Sequence, residues 1–215
     1  MQFITINEKF ENPNFNGTEA KLYIKGDFLY KIYNEKTRSC ILHLLTLGNK
    51  QKYVQKTTLP DAVLIDEEGL IGCRIKYFKN YKLLNKQKNI PLKEKLIILE
   101  QIIKALKELL DNNIYPEDLN SKGILVNNDI QIIDLDTFTT KITDYEDKEV
   151  YDFVLKLFRN VLFEIIYSDF EPIIHLKNLS DYLKSKHLNS SIIKDLSKND
   201  FSFKDANNFI YSLKK

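Results

Sequence analysis

Two short apolar runs, Ile124-Leu125-Val126 and Ile130 to Ile133, are separated by the polar triplet Asn127-Asn128-Asp129. Apolar runs joined by an Asn/Asp turn predict a β-hairpin. The loop before the first run carries Asp118, and the second run ends in Asp134 and Asp136. A hairpin brings the ends of its strands together, so Asp118 and Asp134 are expected near each other at one mouth. Two carboxylates at the buried edge of one site repel each other unless a positive charge sits between them. A divalent metal or a lysine meets that need. Asp is also a common turn residue, so a plain loop-end role for both acids is the alternative.

The rest of the chain divides by period. Residues 1–16 are polar and mixed, and read as a lead-in with one short strand. Lys21-Leu22-Tyr23-Ile24-Lys25 alternates, Gly26-Asp27 turns, and Phe28 to Tyr33 returns, which predicts a second hairpin. Lys31 lies inside that return strand, where a lysine ordinarily faces solvent. Residues 37–56 hold a helical pattern with Cys40, Ile41, Leu44 and Leu45 on one side, and His43 reads as a half-buried packing residue. Ala62 to Ile65, the turn Asp66-Glu67-Glu68-Gly69, and Leu70 to Ile75 predict a third hairpin, and with it a five-stranded sheet.

From Pro91 the period becomes helical. Pro91 suits a first turn. Leu92, Leu96, Leu99, Ile103, Leu106 and Leu110 form one apolar stripe, and Asp111-Asn112-Asn113 ends it. Asp147 to Tyr167 predicts another helix with a broad apolar face, Phe153 included, as expected of a buried post. Shorter helices are expected over about 178–187, 190–197 and 204–213. His175 and His187 have no partners at metal spacing.

Composition narrows the function classes. The chain has 215 residues, 43% hydrophobic and 29% charged, enough for a sizeable core in one domain or two small lobes. Lys+Arg 32 against Asp+Glu 30 gives no argument for nucleic acid or an acidic membrane as partner. Cys40 and Cys73 are the only cysteines, without a CxxC pair or Cys/His cluster, so a zinc site is not expected. The absence of a signal peptide pattern and of any apolar run near the roughly 20 residues that span a bilayer leads to the expectation of a cytoplasmic protein.

The stretch Tyr115 to Phe138 resembles the catalytic core of the protein kinase-like superfamily. In that family a loop of the form H-x-D-L-x-x-x-N is followed by a strand pair and a D-F-G or I-D-x-D/E sequence. Asp118-Leu119 sits where the catalytic Asp-Leu sits, and Ile133-Asp134-Leu135-Asp136 matches the metal-binding Asp and its neighbours. Leu135-Asp136 in place of Phe-Gly is similar to the small divergent members, including the aminoglycoside phosphotransferase type. The resemblance implies an α+β, two-lobed protein kinase-like fold: an antiparallel β-sheet N-lobe over 1–78 and a helical C-lobe over 79–215. It implies that Lys31 holds ATP phosphates. Gly17 then stands in the phosphate loop, and Lys76-Tyr77-Phe78 forms the hinge whose backbone meets the adenine. Asp134 and Asp136 would bind Mg²⁺, Asp118 would orient or deprotonate the acceptor hydroxyl, and Asp152 would brace the catalytic loop. The acceptor would be a protein Ser/Thr or a small-molecule hydroxyl.

Four positions depart from the family pattern. Pro116 replaces the His before the catalytic Asp, and Glu117 the Arg of regulated kinases. Gly123 replaces the second metal-binding Asn, with Asn120 nearby at a different spacing. No Asp or Glu occurs between Thr37 and Pro60, where the family pairs a helix Glu with the strand Lys. These departures imply the alternative function, a catalytically impaired pseudokinase that binds nucleotide or a partner.

Overall fold

The computed structural model describes residues 1–7, 10–17, 19–34, 40–116, 118–135, 139–140, 147–167 and 201–214. The protein is mixed α+β, with an antiparallel-rich sheet in its N-terminal part.

The sheet contains β1 (Gln2–Thr5), β2 (Phe15–Asn16), β3 (Ala20–Lys25), β4 (Phe28–Tyr33), β5 (Ala62–Asp66) and β6 (Gly69–Lys76). Their order is β1-β5-β6-β4-β3-β2. The β3–β4 and β5–β6 hairpins form as their alternation and turns predict. The lead-in holds two strands, not one. β1 pairs in parallel with β5, making a six-stranded sheet in place of the expected five. Four residues with mixed exposure carry too little period to announce a strand, and its pairing partner lies 60 residues away.

The helix expected over 37–56 is shorter. α1 (Cys40–Lys50) passes into a 3-10 turn, Gln51–Tyr53. Leu44 and Leu47 are fully buried but serve different clusters. Leu44 packs with Val63, Leu70, Cys73 and Ile75 against the sheet. Leu47 joins the larger cluster built around the later helices. One amphipathic helix therefore connects the two apolar cores.

A two-residue strand, β7 (Lys82–Leu83), and a 3-10 turn, Leu84–Lys86, lead to α2 (Leu92–Asp111). Leu99, Ile102, Leu106 and Leu109 of α2 are fully buried, each worth about 1.5–3 kcal/mol of transfer free energy. Packing of this kind, more than intrinsic propensity, holds a helix in place. Leu92 is exposed, contrary to the stripe expected from spacing, because the helix begins there and its first turn projects past the core. Asn113, at φ +53°, turns the chain out of the helix.

β8 (Ile114–Tyr115) follows and pairs with β11 (Thr139–Thr140), a contact the sequence did not signal. Between them lies the expected hairpin, β9 (Ile124–Val126) and β10 (Ile130–Ile132), with β7 on its outer side. α3 (Asp147–Tyr167) spans the length its pattern predicts. Val154, Phe158, Val161, Leu162 and Ile165 are buried, whereas Phe153 is exposed and lies outside the apolar face. α4 (Phe203–Leu213) matches the last expected helix and opens with a Ser202–Asp205 capping box. The other two tail helices, His175 and His187 lie outside the described residues.

Candidate functional site

Lys31 stands on β4, between Leu22 of β3 and Cys73 of β6. It does not face solvent as a strand lysine ordinarily does: its side chain is 9% exposed. Its Nζ donates to Asp134 Oδ1 at 2.5 Å, joining residues 103 apart in sequence. The geometry is that of a charge-assisted hydrogen bond.

Gly72 makes this position of Lys31 possible. A Cβ at residue 72 would lie 1.9 Å from the Lys31 carbonyl oxygen. Beside it the β5–β6 register shifts: Leu64 faces Gly72 and Ile65 faces Leu70, so Ile71 is the extra residue of a bulge. A glycine inside an apolar strand signals a close backbone approach, and that signal was available in the sequence.

Asp134 follows β10 and has φ +67°, a left-handed conformation that costs a non-glycine residue of order 1–3 kcal/mol. Just before it, the Ile133 amide donates to the Gly123 carbonyl at 2.9 Å. Gly123 precedes β9, so this bond closes the hairpin at its open end. The Gly123 amide in turn donates to the Asn120 carbonyl at 3.0 Å. Asn120, two residues after Asp118, is thereby linked to the open end of the hairpin.

Asn120 also organises Asp118 directly. Its Nδ2 donates to Asp118 Oδ1 at 2.9 Å, and its Oδ1 accepts from the Lys122 amide at 2.9 Å. The expectation of two carboxylates at a buried edge is corrected: both acids are exposed, Asp134 with 64% of its side chain open. The charge that answers Asp134 is the lysine.

Gly17 closes the β2–β3 turn, its amide donating to the Ala20 carbonyl at 2.9 Å, just beyond the strand ends that pair Ala20 with Tyr33. Lys76 ends β6 and its Nζ lies over the Phe78 ring, 5.3 Å from the centroid. Between them the Tyr77 amide donates to the Asp27 carbonyl at 2.8 Å, so that donor is committed within the chain. Asp136, expected as a second metal ligand, and Glu117 lie outside the described residues.

Two contacts around the site involve residues that the sequence did not mark. Glu164 of α3 accepts from the Ser121 amide at 3.3 Å, so the described carboxylate that reaches the Asp118 loop from this helix is Glu164. Asp152, expected to brace the loop, is half-buried on the same helix. The second contact is at the hairpin tip, where Asp129 accepts from Lys56 Nζ and from the Tyr81 hydroxyl. Burial pushes the Asp129 carboxyl up, but the bonds from Lys56 and Tyr81 outweigh it and hold it below the usual range. The bond to Asp129, aided by burial, pushes Tyr81 up to about 12. This trio ties three segments together: the residues after α1, the residues after β6 and the hairpin turn.

Among the described residues, no group of three or more His, Cys, Asp or Glu gathers to hold a metal ion. The exposed Asp134 carboxylate still suits Mg²⁺, which keeps several waters and takes one or two carboxylates besides substrate phosphates. No described helix is long and apolar enough to cross a membrane. A scan against protein-family models finds no match to this chain, and a search of curated proteins finds none either.

Proposed function

We propose that the chain is an ATP-dependent phosphotransferase of the protein kinase-like type, with an N-lobe over 1–78 and a C-lobe over 79–215. The observation that carries this reading is the Lys31–Asp134 pair at 2.5 Å. These are the two residues that the resemblance assigns to the phosphates and to the metal, and they meet across 103 residues of sequence. Neither hairpin alone requires that meeting.

Mg²⁺ and ATP, when bound, supply the phosphoryl group and neutralise its charge. The chain's part is positioning. Lys31, nearly closed to solvent, offers the phosphate oxygens a fixed positive charge. Asp134 would hold the metal through its exposed carboxylate, and Asp136 would supply a second. Gly17 lets the β2–β3 turn approach the phosphates, and the Lys76–Phe78 backbone meets the adenine. Asp118, oriented by Asn120, accepts the hydroxyl proton of the acceptor as the new O–P bond forms and ADP leaves. Phosphoryl transfer asks for alignment and charge stabilisation more than covalent chemistry, so a reduced set of residues can perform it. The acceptor is a protein Ser/Thr or a small-molecule hydroxyl.

The test is ATP consumption with Mg²⁺ or Mn²⁺ by the wild type and by Asp118→Asn. The expected result is turnover in the wild type and its loss in the variant, with ATP binding kept. Equal turnover in the two would remove Asp118 from the mechanism. A pseudokinase reading has three observations in its favour: Pro116 stands where the family has His, Gly123 stands at the position of the second metal-binding Asn, and no acid lies on α1. ATP binding without turnover in the wild type would decide for it.

A further inference from the structure

The segment joining β6 to α2 contains Lys76, Lys79, Lys82, Lys86, Lys88 and Lys93, and no Asp or Glu. All six lysines are exposed. Among the described residues none of them forms an ion pair, and Lys76 lies over the Phe78 ring. The segment runs beside the candidate site. Lys82 pairs with Val126 of β9, and the Leu84–Lys86 turn packs on Ser121–Gly123, the turn that follows the Asp118 loop. That second turn adds the exposed Lys122.

We infer that this exposed lysine-rich segment is the docking surface for an acidic peptide segment of the acceptor, held next to the Asp118 loop. The acceptor role rests on the phosphotransferase reading; the docking itself needs only the charged face. Seven lysines that form no ion pair among the described residues raise the local potential and draw in a partner of opposite sign. Outside these lysines the chain carries more acid than base, since 30 acids face the remaining 25 of its 32 basic residues. A short acidic segment fits that distribution better than a long polyanion spread over the molecule. The face also lacks the features that select nucleic acid. It has no Arg for bidentate contacts to base edges. Two of its three rings are engaged with each other: Phe78 and Tyr81 pack edge to face at 5.1 Å, and the Tyr81 hydroxyl is bonded to Asp129.

The test measures fluorescence anisotropy of a labelled Asp/Glu-rich decapeptide with one central Ser, titrated with the full chain at low salt. A single-stranded oligonucleotide of equal charge serves as the second probe. The face variant is Lys79→Glu/Lys82→Glu/Lys86→Glu, and the control is Lys21→Glu/Lys104→Glu/Lys156→Glu, exposed lysines elsewhere. The expected result is peptide binding weakened about tenfold or more in the face variant and about twofold or less in the control, with salt weakening both. Equal loss in the two variants, no peptide binding, or tighter binding of the oligonucleotide would overturn the inference. Circular dichroism of each variant verifies folding. Because the readout requires neither ATP nor turnover, its failure is distinct from failure of the phosphotransferase reading.

Discussion

Gly72 decides where Lys31 can be. A methyl group at residue 72 would fall on the Lys31 carbonyl, in the centre of the sheet where neither strand can step aside. Gly72→Ala is expected to cost about 1–3 kcal/mol by overpacking, read from urea denaturation, and to lower ATP affinity because it moves the lysine strand. An unchanged midpoint would mean that the sheet absorbs the methyl. Glu164 acts on the other side of the site by holding the Ser121 amide. Small displacements of a positioned group cost rate steeply, so Glu164→Ala is expected to lower turnover about tenfold, with KM for ATP unchanged. A rise in KM with kcat intact would contradict that positioning role. A lone Glu on a helix has no period or motif to announce it, which explains why Glu164 was not legible in the sequence. Gly72 did carry a signal, as a glycine interrupting an apolar strand, although the strand prediction did not draw on it.

At the scale of elements, the hairpin β9–β10 was readable because alternation and turn chemistry are both local. Its tether to the rest of the molecule was not. Asp129 sits in the expected turn, yet its partners Lys56 and Tyr81 come from segments 73 and 48 residues away. This trio gives the fold a specific pH response. The folded-state pKa of Asp129 is depressed, so its contribution is present above the unfolded carboxylate value of about 3.9 and is lost as pH falls through the folded value. Tyr81→Phe removes one of the bonds that depress it, and acid unfolding followed by circular dichroism is expected to begin at a higher pH in that variant. An acid transition identical to the wild type would show that the bond contributes nothing to the folded state. On the alkaline side, the raised Tyr81 pKa keeps its contribution intact below about 10, and the contribution is lost as pH rises through about 12.

At the scale of the whole molecule, α1 contributes to both apolar clusters and Lys50 at its end donates to the carbonyls of Asn112 and Asn113, where α2 ends. Cations at a helix C-terminus are favourable. The sheet and the helical part are thus connected by packing and by this cap, while Lys31 and Asp134 connect them at the candidate site. Periodicity in the sequence supplied the helices and hairpins but could not supply this long-range pairing; the resemblance to kinase-like motifs assigned Lys31 and Asp134 to one nucleotide site without predicting a bond between them. The parallel pairing of β1 with β5 was not legible for the same reason, since the two lie far apart along the chain. The most direct measurement is the thermal shift caused by millimolar ATP with Mg²⁺ in the wild type and in Lys31→Met. Methionine fills the nearly closed lysine position without its charge, so the variant is expected to remain folded. A ligand that binds only the folded state raises its stability, by about 2.7 kcal/mol at one hundred times Kd, or several degrees of melting temperature for a chain of this size. The account predicts that rise in the wild type and its loss in Lys31→Met. An equal rise in both proteins, or none in the wild type, would contradict it.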